Sequence, residues 1–120
     1  MNITDQDSII PLTPQVLHIL LALAAAQDNG IGIMRTIKED SGGYVQVASG
    51  TLYPAITRLL GSGYIIEIHR HSSVGRSGIT KVYRLTPNGR YVLELELNRY
   101  HQTAKLGAER LKILSPNRVQ

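Results

Sequence analysis

Twelve residues, Ser49 to Leu60, read S-G-T-L-Y-P-A-I-T-R-L-L and constrain this chain more than any other segment. Leu52, Ile56, Leu59 and Leu60 recur at helical spacing and define one apolar face. Thr51, Tyr53, Thr57 and Arg58 fall on the other face; all four can hydrogen-bond and none is an acid. Ser49 is expected to be the N-cap, its hydroxyl accepting an orphan N–H of the first turn. Gly61 and Gly63 follow, as residues that end helices do. Pro54 sits four or five residues in, where a missing N–H begins to cost a helical bond and slightly distorts the first turn. Alone, such a pattern is most often an ordinary amphipathic helix; its neighbours decide otherwise.

Residues 1–12 are mostly polar, contain Pro11, and are expected to form a flexible arm. Thr13-Pro14 has the form of an N-cap followed by N1, so a helix is expected from there to about Gln27. Its V-L-H-I-L-L-A-L-A-A-A run is apolar almost all round, which calls for cover on more than one side and, in so small a domain, for a second chain over Leu17, Leu20 and Leu21. His18 within it is read as a satisfied core or interface group rather than a ligand. Asp28-Asn29-Gly30 is turn chemistry. Ile33, Met34 and Ile37 then predict a short helix to about Glu39, ended by Asp40-Ser41-Gly42-Gly43; Tyr44–Ala48 alternates and could be extended.

After the third helix come two strand-like runs, Tyr64–His71 and Thr80–Leu85, around a Gly/Ser loop that holds Arg76, which predicts a β-hairpin with a long tip. Tyr83 and Leu85 share one face of it and Val82 lies on the other. Thr86-Pro87 opens the last helix, expected to reach Leu114. Leu93, Leu97, Tyr100, Ala104, Gly107, Leu111 and Leu114 are spaced 4-3-4-3-4-3 along it, a continuous seam for helix-on-helix packing. Residues 115–120 are a short tail.

A chain of 120 residues, 42% hydrophobic, makes one domain with a small core. Charge is unevenly spread. Residues 1–48 carry two basic and five acidic side chains, residues 49–86 carry five basic and one acidic, and residues 87–120 carry six basic and three acidic. A basic middle behind an acidic start suggests a polyanionic partner for the middle. With no Cys there is neither a disulfide framework nor a thiolate metal site. The start lacks the basic residues of a secretory signal, and the longest apolar run, Ile19–Ala26, is too short to span a bilayer, so a cytoplasmic protein without membrane contact is expected.

Three helices, a Gly-flanked hairpin and a long last helix make a winged helix-turn-helix, mainly α with a β-hairpin wing (α+β). Its DNA-binding domain would span residues 13–86 and its dimerisation helix residues 87–114. The second helix of such a motif enters the major groove, which makes Ser49, Thr51, Tyr53, Pro54, Thr57 and Arg58 the candidate DNA-facing residues. Arg76 would reach the flanking minor groove, while Arg70, Lys81 and Arg84 could contact phosphates, which position rather than specify.

These residues resemble the PadR family of bacterial transcriptional regulators across about residues 13–114. The likeness is carried by S-G-T-L-Y-P-A-I-T-R-L, by Leu60, Gly63, Tyr64 and Ile65 after it, and by Tyr83-Arg84-Leu85-Thr86-Pro87-Asn88-Gly89 at the wing–helix junction. A single C-terminal helix is similar to the short subfamily. The resemblance implies a homodimer held by the last helix, a palindromic operator, and a Tyr53-Pro54 turn that sets Tyr53 toward backbone or base edge. The chain departs from the family at Ile31-Gly32-Ile33, where Y-G-Y is usual, and at the wing tip, where Arg76 is the one charge. The last helix holds only Tyr91 and Tyr100 as aromatics, which argues against the aromatic drug sandwich of multidrug-sensing members and leaves a small phenolic or other effector open.

The residues do not describe an enzyme: there is no nucleophile elbow, no Gly-rich phosphate loop before a helix, and no pair of acids placed for acid–base work. His69 and His71 share a strand face, but no third and fourth ligand stands near them in sequence, so neither a metal nor another cofactor is expected. The alternative function is a winged-helix protein–protein adaptor, which would suit an acidic or apolar third helix. The basic balance of residues 49–86 favours the reading as a DNA-binding regulator, most simply a repressor.

Overall fold

A computed structural model of the chain describes residues 11–71 and 79–113. The wing tip with Arg76, Leu114, most of the N-terminal arm and the tail lie outside the described residues. The elements are α1 (Pro14–Ala25), α2 (Gly30–Asp40), α3 (Ser49–Gly61), β1 (Ile65–His71), β2 (Ile79–Leu85) and α4 (Pro87–Leu111). This is the expected winged helix-turn-helix, mostly helical with one antiparallel hairpin.

Local chemistry starts most of these elements. The Thr13 hydroxyl accepts the Val16 N–H at 3.2 Å with Pro14 in the first turn of α1. Thr86 does the same for Gly89 at 3.0 Å with Pro87 in the first turn of α4. Within the Asp28-Asn29-Gly30 turn the Asn29 side chain caps α2, accepting the Gly32 N–H at 2.8 Å. In the α2–α3 turn Gly42 and Gly43 have φ of 63° and 85°, a region in which a Cβ is strained. The turn forms no strand at Tyr44–Ala48; Ser41 accepts the Val45 N–H there.

Four expectations need correcting. Ser49 is the first helical residue of α3, not its cap; Ala48 occupies the N-cap without a side-chain bond. The reason is packing: Val47 just before the cap and Leu52 four residues after it are both buried in the core, the arrangement of a hydrophobic staple that fixes the chain's entry. Both ends of the outer helices come early, α1 at Ala25 and α4 at Leu111, where Lys112 turns into the left-handed region at φ 59°. Leu12, assigned to the arm, is buried and its N–H is bound by Glu96. Leu17, Leu20 and Leu93, expected at a dimer surface, belong to this chain's own core; Leu20 is 0% exposed.

The core lies between α1, the inner faces of α2 and α3, and the base of the hairpin. The hairpin pairs Ile65 with Leu85, Glu67 with Tyr83 and His69 with Lys81, so these residues share one face, and Ile66, Ile68, Arg70, Thr80, Val82 and Arg84 share the other. Tyr83 is buried and Leu85 half-buried, as their shared face requires; Val82 is buried too, although it is outside the main core cluster. A third, minimal edge is added where Asp28, between α1 and α2, exchanges both backbone bonds with Tyr83.

The wing meets α4 at a tight junction. Thr86 donates its hydroxyl to the Gly63 carbonyl at 2.6 Å while capping α4. A Cβ on Gly89 would collide with the Tyr64 carbonyl oxygen, which is backbone and cannot swing away. We therefore expect Gly89→Ala to lower unfolding free energy by about 1–3 kcal/mol, the usual cost of overpacking, measured by denaturant titration.

Candidate nucleic-acid interface

The underside of α3 is anchored by Leu52, Ala55, Ile56 and Leu59, none more than 2% exposed. That leaves Ser49, Thr51, Tyr53, Pro54, Thr57 and Arg58 together on its exposed side. Thr57 donates its hydroxyl to the Tyr53 carbonyl at 3.0 Å, so it meets an incoming group as an acceptor. Pro54 offers no N–H to the Gly50 carbonyl one turn back; Gly50 is exposed, so water can satisfy that oxygen. Arg58 is exposed in the last turn, with no ion pair among the described residues.

Tyr53 does not project freely from this face. Its ring is 44% exposed, and its hydroxyl lies against the Cα of Gly30 at the start of α2, so closely that a Cβ there would overlap it. Tyr53 thus closes one side of an open depression of about 310 Å³ whose other walls include Asn29, Gly30, Ile31, Lys81 and Tyr83. Burial pushes the Tyr83 phenol above its ordinary pKa, and the Glu67 carboxylate and the Tyr53 phenol add to the effect, so Tyr83 keeps its donor proton.

The basic residues of the wing divide between two places. Lys81 is on the inner hairpin face, beside this depression. On the same face His69 Nε2 lies 2.6 Å from Glu67 Oε2. Arg70 and Arg84 are on the opposite face. Arg84 borders a second depression with Leu23, Ala24 and Arg90, where α1 ends and α4 begins, away from α3. Among the described residues no group of three or more His, Cys, Asp or Glu could hold a metal ion, and no helix is long and apolar enough to cross a membrane.

His18 differs from its reading as a satisfied group: its Nδ1 is buried with no hydrogen-bond partner among the described residues. Glu96, singled out by nothing in the sequence, is 0% exposed; it accepts from the Leu12 N–H and, at 2.6 Å, from Arg99 Nε. Asn29 was readable in principle, since Asn before an apolar-periodic run is a cap signal.

A helix-turn-helix with a hairpin wing and an acid-free outer face on its third helix defines a DNA-binding transcription regulator of the winged-helix class. The family model described as the transcriptional regulator PadR-like family matches residues 19–95, and the chain belongs to that family. It is a regulator, not an enzyme. Solved structures share the fold. A transcriptional regulator from Clostridium thermocellum is 23% identical, with a TM-score of 0.65, covering 86% of this chain and 96% of that one. A PadR family regulator from Clostridium difficile is 21% identical, with a TM-score of 0.65 and coverage of 82% and 97%. Bacillus subtilis PadR in complex with operator DNA is 24% identical, with a TM-score of 0.63; the match covers 72% of this chain and 48% of that one. No curated protein matched the chain by sequence.

The Asn29 cap holds the start of α2 against Tyr53. Asn29→Ala should cost about 1 kcal/mol of stability, within the range for lost N-caps, and calorimetry would register it as a lowered unfolding midpoint.

Proposed function

We propose that this regulator reads a specific double-stranded DNA sequence, acts as a homodimer on a palindromic operator, and represses by occupying a promoter. The observation that carries the reading is the outer face of α3, where Thr51, Thr57 and Arg58 stand exposed on a helix with no acid in it. Arg58 would supply the strongest base contact, because a guanidinium can bond two acceptors of a guanine edge at once. Arg70 and Lys81 would add phosphate contacts that set register.

Support for the dimer comes from α4. The stripe that is buried through Gly89, Val92 and Leu93 continues past the domain as Leu97, Tyr100, Ala104, Gly107 and Leu111, where Gly107 is half-buried and the others are exposed: Leu97 is 41% exposed, Tyr100 46% and Leu111 74%. On α1 the half-buried Leu21, with exposed Ala24 and Ala25, leaves a second apolar strip open. A partner's α4 and α1 would cover both, and two α3 helices about one helical turn of DNA apart, roughly 34 Å, would then face a palindrome. The adaptor alternative has no acidic or apolar α3 to support it.

Selection from a random duplex pool tests the reading directly. A palindrome with half-sites about one turn apart is the expected product; binding without any enriched sequence would sink it. Arg58→Ala should weaken operator binding by about 1–3 kcal/mol and relax specificity at one position per half-site. Leu97→Asp should yield monomers in sedimentation, because it sets a charge in the shared seam while sparing the chain's own core. A variant that stays dimeric would refute the seam.

A further inference from the structure

From Leu12 to Gln27 the chain has no Asp, Glu, Lys or Arg, so α1 carries no formal charge on any side. Pro14, His18, Leu21 and Ala25, spaced 4-3-4, line one face of it; Pro14 and Ala25 are exposed, and His18 and Leu21 are half-buried. His18 is the one side chain of these four that can hydrogen-bond, and it is unsatisfied. Its Nδ1 is sealed from water without a partner, and its Nε2 has no hydrogen bond among the described residues. With no acceptor at Nδ1, the proton of a neutral imidazole belongs on Nε2, which makes Nε2 a donor without an acceptor. The complementary surface is on α4. Glu96 binds the Leu12 N–H, so α1 starts beside Glu96 and runs back toward Pro87, which it reaches at Ala24. In the other direction α4 continues from Leu97 to Leu111, about 22 Å, against about 18 Å for the 12 residues of α1. The stripe Leu97, Tyr100, Ala104, Gly107 and Leu111 is as free of charge as α1, and the Tyr100 hydroxyl is its one hydrogen-bonding side-chain group. That hydroxyl has no hydrogen bond among the described residues, and Tyr100 is exposed. The chain's own Tyr100 lies one turn past Glu96, away from α1, so it is a second copy's Tyr100 that can meet His18.

We propose that in the homodimer His18 of each protomer donates through Nε2 to the hydroxyl oxygen of the partner's Tyr100, so that the one polar group of each apolar strip is completed by the other chain. A two-fold interface uses the same patch twice, so a single chain must carry both members of the contact, and this chain does. The two surfaces suit a second copy: both lack charge, they are comparable in length, and one holds a lone donor where the other holds a lone acceptor. The proposal rests on the dimer proposed above and gives its seam a register. Apolar side chains tolerate a slide of one turn along the seam, whereas the imidazole N–H would then be buried without an acceptor, which is how a single polar position fixes register between helices.

Sedimentation equilibrium of the whole chain tests this through the dimer dissociation constants of the parent, Tyr100→Phe, His18→Leu and the double variant. Tyr100→Phe keeps the ring at an exposed position, so folding is not at stake. It should weaken the dimer about five- to hundredfold, because each dimer then buries two unpaired imidazole N–H groups. His18→Leu should weaken it too, by stranding the two phenols. The double variant leaves neither group stranded and should dimerise more tightly than the product of the two single losses predicts. A Tyr100→Phe dimer as tight as the parent's would overturn the contact, and so would single losses that simply multiply in the double variant. If His18→Leu does not fold, nitrogen NMR of the imidazoles decides in its place: Tyr100→Phe should shift the His18 Nε2 resonance of the dimer, and an unmoved resonance overturns the contact. A parent that sediments as a monomer defeats the dimer reading itself. A parent dimer that Leu97→Asp splits and Tyr100→Phe leaves intact keeps that reading and removes only the contact between His18 and Tyr100.

Discussion

Leu52, Ala55, Ile56 and Leu59 are withdrawn from water almost completely, and the rotation of α3 about its own axis depends on that burial. Each of the three larger side chains contributes about 1.5–3 kcal/mol when buried. Turning the helix by one residue, about 100°, would expose them and drive Thr57 or Arg58 into an apolar core. The outer face is therefore presented in one orientation only. Val47 and Leu52 add a constraint on where the helix begins, which is why Ser49 lies inside the first turn and not at its cap.

A recognition surface also needs its surroundings held still, and here the ties run between distant parts of the chain. Asp28 and Tyr83 exchange both backbone bonds, joining the α1–α2 connection to the wing. Thr86 bonds Gly63 on one side and Gly89 on the other, joining the end of α3 to the start of α4. Glu96 is a costly device, since a carboxyl group withdrawn from water must have its oxygens hydrogen-bonded within the protein. The Leu12 N–H and Arg99 provide that pairing, and Arg99 remains half in water, which limits the desolvation cost. The result is a long helix fixed at its base to the winged helix-turn-helix and mostly exposed beyond it, apart from Gly107 and Ala108.

The dimer proposed above would link affinity to assembly. The covered part of the α4 stripe belongs to the chain's own core, and exposed Leu97, Tyr100 and Leu111 would meet the partner along the same helix of about 37 Å. Gly30, Tyr53, Tyr83 and Lys81 lie where α2, α3 and the wing meet.

Much of this was legible in the sequence because much of it is local. Thr13-Pro14 and Thr86-Pro87 announce their helices through caps of three or four residues. The S-G-T-L-Y-P-A-I-T-R-L-L stretch shows its two faces by spacing alone, and its likeness to the PadR family is upheld by the match over residues 19–95. What misled was any judgement about which apolar surface meets which. Leu17, Leu20 and Leu93 carry the same pattern whether they face their own core or a partner, and only the packed fold turned them inward. Asp28 with Tyr83, Leu12 with Glu96 and Tyr53 with Gly30 are pairings across 20 or more residues, so no local signal marks them. The sequence by itself determined the elements, their order and the acid-free face of α3, because caps and periodicity act within a turn or two. Only the tertiary structure decided where Tyr53 rests, how Glu96 is satisfied and which stretch of α4 stays bare, because those depend on which distant surfaces come into contact.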